Sequence, residues 1–249
     1  MITTGSTTAV ANKPSSFNLP NAISAARILI SPLLAVLPFE VSPLWRSVAF
    51  VLYVISAVSD YWDGWLARTR GLVTDLGKAL DPLADKLLLV ATFVPMLVLQ
   101  GAPDDPASRF LVGLLHIKPG IAAGFPFITN FGSVTLSWWV VALVVGREAF
   151  MTIFRQAANR KGVVIAAIGP AKWKAGMQYV WVGTAYFWFA ALTIAADKGW
   201  SGPFWNLIVL ISGWIGVVTM VAAVLLTMYS LWLYLQRYGA LVFSSSRPK

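Results

Sequence analysis

Apolar stretches long enough to cross a lipid bilayer, which takes about 20 residues, recur along most of this chain. The first is NLPNAISAARILISPLLAVLPF, where Asn21 or Ser24 suits a helix cap and an interfacial start merges into a span at about 22–39. Further spans are predicted at about 44–68, 78–100, 133–158, 172–196 and 204–236. Between the third and fourth lie 32 residues, 101–132, holding four prolines and five glycines. That stretch is too long for a tight connection and too broken for a span, and reads as an external loop with room for an interfacial segment. Residues 1–17, rich in Thr, Ser and Ala, read as a flexible tail without the cationic start and apolar core of a cleaved signal peptide. Residues 239–249 read as a C-terminal tail. The predicted fold is an all-α integral membrane protein: six transmembrane helices over 18–238, with an N-terminal interfacial segment and no internal repeat.

Composition agrees. The chain is 58% hydrophobic and 12% charged, where a soluble domain carries about a quarter charged residues. The formal charge of +9 invites a nucleic-acid reading, but membrane topology accounts for it. Six spans place both termini on one side. With the N-terminus cytoplasmic, that side holds fifteen of the nineteen Lys and Arg residues, leaving Arg46, Arg109, Lys118 and Lys198 outside. The positive-inside rule selects this orientation in the inner (plasma) membrane, and no nucleic-acid partner is expected. The absence of cysteine excludes disulfides, thiolate metal sites and a cysteine nucleophile. Trp138, Trp139, Trp200 and Trp205 suit interfacial belts, and Trp62, Trp65 and Trp173 suit packing or the border of a lipid route. His116 lies in the external loop and reads as solvated.

The acidic residues change the picture. There are ten, and Asp60, Asp63, Asp75, Asp81 and Asp85 fall within 26 positions on the basic side of the predicted membrane. At about 100° per residue, Asp63, Gly64, Ala67 and Arg68 stand about 300°, 40°, 340° and 80° from Asp60. Two carboxylates thus share a face with two small side chains, and an arginine stands at its edge. On the next helix Asp81, Ala84 and Asp85 stand about 40°, 340° and 80° from Gly77, repeating the arrangement. An antiparallel pair would bring these faces together. Each Asp at mid-span costs about 2.5–3.5 kcal/mol on the insertion scale, so the four need a compensating cation. All-oxygen ligands point to hard divalent ions, Mg²⁺ or Mn²⁺, and two such ions suit a diphosphate. Plainer readings compete: Asp81 before Pro82 has the form of a helix N-cap, and Asp60 and Asp63 have Arg68, Arg70 and Lys86 as potential partners. Neither explains an acid-plus-small face repeated on adjacent helices. Asp75 lies outside both faces and reads as a loop cap or lysine partner.

Asp60-x2-Asp63-Gly64-x2-Ala67-Arg68-x8-Gly77-x3-Asp81-x3-Asp85 resembles the signature of the CDP-alcohol phosphatidyltransferase family at all eight fixed positions. The resemblance implies a six-helix membrane enzyme that displaces CMP from a CDP-linked lipid with two divalent metals. It implies that Asp60, Asp63 and Asp81 bind metal. Asp85 then completes the site and acts as general base on the acceptor hydroxyl. By the same resemblance Asp60, Asp63, Gly64, Ala67, Arg68 and Gly77 contact the CDP moiety. The stretches FNLPNAISAARILISPLL, VTDLGKALDPLADKLLL, GREAFMTIFR and GPAKWKAGMQ look like the phosphatidylglycerophosphate synthase branch of that family. That branch joins CDP-diacylglycerol to sn-glycerol 3-phosphate within membrane lipid, and relatives suggest a homodimer. The 101–132 segment departs from its usual compact outer loop.

An acceptor bearing a phosphate needs cations. Arg147 and Glu148 fall inside the fourth predicted span, where ionisable groups are functional candidates by default. Arg155, Lys172 and Lys174 lie near the same face, although positive-inside bias alone would also place them there. Glu148 reads equally as the internal partner of Arg147, and Arg27 is a weaker candidate. Inositol phosphate, serine and phosphatidylglycerol are rival acceptors. A cation transporter is the rival from outside enzymology; it predicts acids near mid-span on Gly/Pro-broken helices rather than at the end of two spans.

Overall fold

The computed structural model of the chain describes residues 18–69, 74–118, 121–163, 165 and 169–243. Among these the protein is predominantly helical. Helix α1 (Leu19–Val36) runs into a single 3-10 turn, Leu37–Phe39, followed by α2 (Pro43–Thr69) and α3 (Asp75–Gln100). A short α4 (Pro106–Leu114) and a hairpin of β1 (Phe127–Thr129) and β2 (Gly132–Val134) lead to α5 (Trp138–Arg160), α6 (Gly169–Lys198) and α7 (Pro203–Phe243). Four segments are long and apolar enough to cross a membrane: Leu19–Phe39, Ala79–Gln100, Trp173–Lys198 and Pro203–Leu241. Helices α2 and α5 fall outside that set and carry Asp60, Asp63, Arg147 and Glu148 along their length.

Helix α1 starts one turn earlier than expected. The side chain of Asn18, not Asn21 or Ser24, accepts a hydrogen bond from the Asn21 amide (3.0 Å), and Pro20 fits the first turn. Its buried positions include Asn21, Ser24, Arg27 and Ser31 at helical spacing, while Leu29, Leu33 and Val36 are exposed. This inverts a soluble amphipathic helix: the apolar face is turned outward and the polar stripe inward, as lipid surroundings require. Helix α1 packs along both α2 and α3, whose backbones approach each other at few points among the described residues. The two acidic faces converge at one end of the bundle, with Arg27 of α1 set among their carboxylates.

Helix α3 begins at Asp75, where Thr74 caps it by accepting from the Gly77 amide (3.0 Å). Asp75 is thus the first helical residue rather than a loop residue. Asp81 and Pro82 lie inside the helix, so Asp81 is not its N-cap.

The core joins α1, α2, α3 and α6 through Leu34, Tyr53, Phe93, Met96, Trp181 and Tyr186. Two tyrosine hydroxyls inside it are satisfied across helices: Tyr186 donates to the Leu34 carbonyl (2.8 Å) and Tyr53 to the Tyr179 carbonyl (2.9 Å). Arg46, also buried, donates to Pro38 O (3.0 Å) and Thr193 Oγ1 (2.5 Å) and lies 4.5 Å from the Phe125 ring centre.

The described residues of 101–132 include a helix and most of a hairpin. Asp105 caps α4 through the amides of Ala107 (3.0 Å) and Ser108 (2.9 Å), and its second oxygen accepts from the Trp138 amide (2.9 Å). One carboxylate thus fixes the start of two helices. Residues 132–134 pair with β1, so α5 begins at Trp138 rather than near 133. The hairpin lies on α7, where a Cβ on Gly213 would stand 1.7 Å from the Ile128 carbonyl oxygen and one on Gly216 about 2.4 Å from the Phe127 ring. Helix α7 continues to Phe243, beyond the expected end near 236.

Gly213→Ala should displace the hairpin backbone at a cost of about 1–3 kcal/mol. We expect its unfolding midpoint in detergent to fall by on the order of 5 °C. Gly239→Ala, on the same helix with open space at the Cβ, should not lower it.

Candidate functional site

The acids come together at one end of the bundle, around a side chain of α1. Helix α2 supplies Asp60 and Asp63, and α3 supplies Asp81 and Asp85. Between them stands the guanidinium of Arg27, only 1% exposed. Its NH1 group pairs with Asp60 Oδ1 and, at 3.1 Å, with Asp85 Oδ1, while NH2 pairs with Asp63 Oδ2 at 2.8 Å. Ser24, one turn earlier on α1, donates to Asp81 Oδ1 (2.6 Å) and stands 3.4 Å from Asp63 Oδ2. A hydroxyl has one proton, so the shorter contact is the donated bond. Tyr179 on α6 donates to the other oxygen of Asp60 (2.5 Å).

The four acids are held unequally. The Asp63 side chain is 5% exposed, whereas that of Asp85 is 57% exposed and opens onto a cavity of about 320 Å³. The cavity is lined by Asp81, Asp85 and Lys86 on α3, Glu148, Thr152 and Arg155 on α5, and Lys174, Gln178 and Tyr179 on α6. Asp81 and Asp85 thus line the α3 side together with Lys86, and Arg155 and Lys174 line the α5 and α6 side together with Glu148. Arg155 is the exposed cation of that side. Lys174 is buried and pairs with Glu148 Oε1, which also accepts from Arg147 NH1 (2.9 Å). Arg147 turns its NH2 toward Ser230 Oγ on α7 (2.9 Å) and does not line the cavity. Glu148 is therefore the shared partner of two cations. Trp62, Trp65 and Trp173 are exposed near this end.

Gly77 has a local packing reason: a Cβ there would stand 2.6 Å from Asn21 Oδ1, and Asn21 Nδ2 donates to the capping hydroxyl of Thr74 (2.8 Å). The α1–α3 contact thus passes over a glycine. The side chains of Ala67, Arg68, Asp75 and Lys172, and all of Arg70, lie outside the described residues.

Could these acids hold a metal? Their oxygens are hard donors of the kind that Mg²⁺ and Mn²⁺ take. Four carboxylates with one guanidinium carry a formal balance of −3 if all are ionised. Among the described residues, no three His, Cys, Asp or Glu side chains already form a metal-holding group. Arg27 stands among the oxygens of three of the four acids. The donor chemistry fits divalent ions, with the guanidinium in their place.

A family model described as CDP-alcohol phosphatidyltransferase matches residues 17–229, which contain all four acids and every residue lining the cavity. The chain belongs to the CDP-alcohol phosphatidyltransferase family. Among curated relatives, a CDP-diacylglycerol–glycerol-3-phosphate 3-phosphatidyltransferase of Rickettsia bellii (strain RML369-C) is 38% identical over 104 residues, 40% of this chain and 58% of the relative. The protein of that name from Bacillus subtilis (strain 168) is 29% identical over 163 residues, 61% of this chain and 67% of its own. A probable phosphatidylglycerophosphate synthase of Mycobacterium tuberculosis (strain ATCC 25618 / H37Rv) is 27% identical over 169 residues, 67% of this chain and 64% of its own. The chain spans 58% of the length of the Rickettsia bellii relative.

The family signature does not contain Ser24, Arg27 or Tyr179. Asn21, Ser24 and Arg27 recur every three residues through an apolar span, and that spacing is a readable sign of a buried polar face. Tyr179 carries no such sign, because an aromatic residue in a membrane helix is unremarkable by itself.

Tyr179→Phe keeps the ring and deletes the donor to Asp60. Losing one hydrogen bond to a partly buried carboxylate costs about 1.5–3 kcal/mol. The variant should therefore unfold a few degrees below the parent in detergent, measured by differential scanning fluorimetry.

Proposed function

We propose that this protein transfers a phosphatidyl group from CDP-diacylglycerol to sn-glycerol 3-phosphate, forming phosphatidylglycerophosphate and releasing CMP. The observation that carries the reading is the cavity between Asp81 and Asp85 on one wall and Arg155 and Lys174 on the other. In this reading a diphosphate faces the acids through divalent ions held by them, while a phosphate-bearing alcohol pairs with the cations directly, and the cavity offers residues for both. The names of the relatives point to the same donor and acceptor.

The acceptor hydroxyl attacks the phosphorus that bears diacylglycerol. A new P–O bond forms to the acceptor, and the bond from that phosphorus to the oxygen of CMP breaks. Asp85, the most exposed of the three acids paired with Arg27, takes the hydroxyl proton or completes the metal site. Asp60, Asp63, Asp81 and Asp85 would hold two Mg²⁺ or Mn²⁺ ions, whose charge neutralises the diphosphate and stabilises the leaving phosphate. Arg155 and Lys174 orient the acceptor phosphate, with Glu148 keeping Lys174 in place. Gly64, Ala67, Arg68 and Gly77 border the CDP moiety in this reading. Arg147 supports the acceptor wall from behind through Glu148, and Lys172 adds positive charge to it.

In this reading α2 and α5 also cross the bilayer. At 1.5 Å per residue, the 23 residues of α5 reach about 35 Å, enough for a hydrocarbon core of about 30 Å. Six spans with an N-terminal interfacial segment place both termini and the cavity on the cytoplasmic side of the inner membrane. The acyl chains stay in lipid while the head group enters the cavity. A homodimer is the expected assembly.

The test is CMP release by purified protein given CDP-diacylglycerol, Mg²⁺ or Mn²⁺, and a panel of acceptors. Release is expected with sn-glycerol 3-phosphate. Release only with serine, inositol phosphate or phosphatidylglycerol would move the acceptor assignment. No release with any acceptor, together with cation uptake into vesicles, would replace the enzyme by a transporter. Asp85→Asn should lower turnover by about 10²–10⁴-fold, and Arg155→Ala should raise KM for the acceptor more than for CDP-diacylglycerol.

A further inference from the structure

The most buried charge at the site belongs to a residue outside the family signature. Arg27 sits on an apolar helix, is 1% exposed, and pairs with three of the four acids. Those acids come from α2 and α3, whose backbones approach each other at few points among the described residues. Without a cation here, Asp60, Asp63 and Asp85 would repel one another at the junction of three helices. A guanidinium suits the place because it is planar, permanently charged and offers several donors at once.

Arg27 is not locked in place by every bond it can make. Its Nε is buried and has no hydrogen-bond partner. Among the described residues, its ion pairs run through the two terminal nitrogens. Nitrogen-to-oxygen pairs of this kind span about 2.7–2.9 Å, whereas Mg²⁺ draws its ligands to about 2.0–2.1 Å. A guanidinium and a divalent ion cannot lie among the same three oxygens.

We propose that Arg27 is the resident counter-cation of the carboxylate cluster. It holds Asp60, Asp63 and Asp85 together in the metal-free protein and gives up those contacts when a divalent ion is taken up. The inference rests on reading the four aspartates as metal ligands. It makes Arg27 a positioning residue whose presence weakens metal affinity while preserving the site in the metal's absence. Ser24 and Tyr179 fit the same scheme, since each holds an acid through a bond that does not involve Arg27: Asp81 by Ser24 and the second oxygen of Asp60 by Tyr179.

The test compares full-length parent, Arg27→Gln and Arg27→Lys in detergent. Mn²⁺ binding is read from the electron paramagnetic resonance signal of free Mn²⁺, and thermal unfolding is measured in EDTA and in Mn²⁺. Arg27→Gln should bind Mn²⁺ at least about tenfold more tightly, unfold at lower temperature than the parent in EDTA, and recover most of that loss in Mn²⁺. Arg27→Lys keeps the charge but not the fork, and should fall between the two; it also serves if the glutamine variant does not fold. Unchanged or weaker Mn²⁺ affinity in both variants, with a stability loss that Mn²⁺ does not repair, would make Arg27 purely structural and overturn the proposal. A parent that binds no Mn²⁺ would overturn the metal reading itself along with it.

Discussion

Three carboxylates facing one buried guanidinium set how the first half of this protein fits together. Asp60 and Asp63 on α2 and Asp85 on α3 carry like charge at adjoining helix ends, and Arg27 stands between them. Helix α1 therefore works as a wedge rather than as a separate anchor. Its buried stripe of Asn21, Ser24, Arg27 and Ser31 touches groups on both neighbours, and its apolar side faces outward. In surroundings that solvate apolar groups well, such polar contacts and close backbone approach decide which helices associate. The near contact of Gly77 with Asn21 belongs to the same seam.

The opposite wall of the cavity mirrors this arrangement with the signs reversed. There one carboxylate, Glu148, receives two cations, Arg147 and Lys174. Each pole thus carries an internal counter-charge, and each keeps a surplus of its own sign facing the cavity: Asp85 on one side and Arg155 on the other. Arg147 lies behind this wall because Ser230 on α7 draws its second nitrogen away.

The far end of the bundle obeys a different constraint. Asp105 caps α4 and also receives the first amide of α5, and the hairpin rests on glycines of α7. These contacts join α3, α4, α5 and α7 where the chain would otherwise be a long structureless connection. They leave the acidic cluster to α1, α2, α3 and α6.

Local chemistry was enough to read much of this from the chain itself. Helix positions followed from apolar length, and the acid-plus-small faces followed from helical period, because both depend on neighbours within a few residues. The family followed from eight positions at fixed gaps, later matched over residues 17–229. What the chain could not convey was pairing between distant elements. A helical wheel says which side chains share a face, but not what covers that face. So a wheel could place the acidic faces of α2 and α3, but not the Arg27 of α1 that stands among them. Asp60 and Asp63 pair with Arg27, 33 and 36 residues away, and Tyr179 reaches Asp60 across 119 residues. The hairpin inside 101–132 was equally hidden, since it depends on small residues of α7 some 85 positions further on. Composition and periodicity determined that this is a helical membrane-type chain with a four-aspartate signature. Only the tertiary structure decided that an arginine occupies the middle of those aspartates, because that outcome depends on which helix is packed between two others.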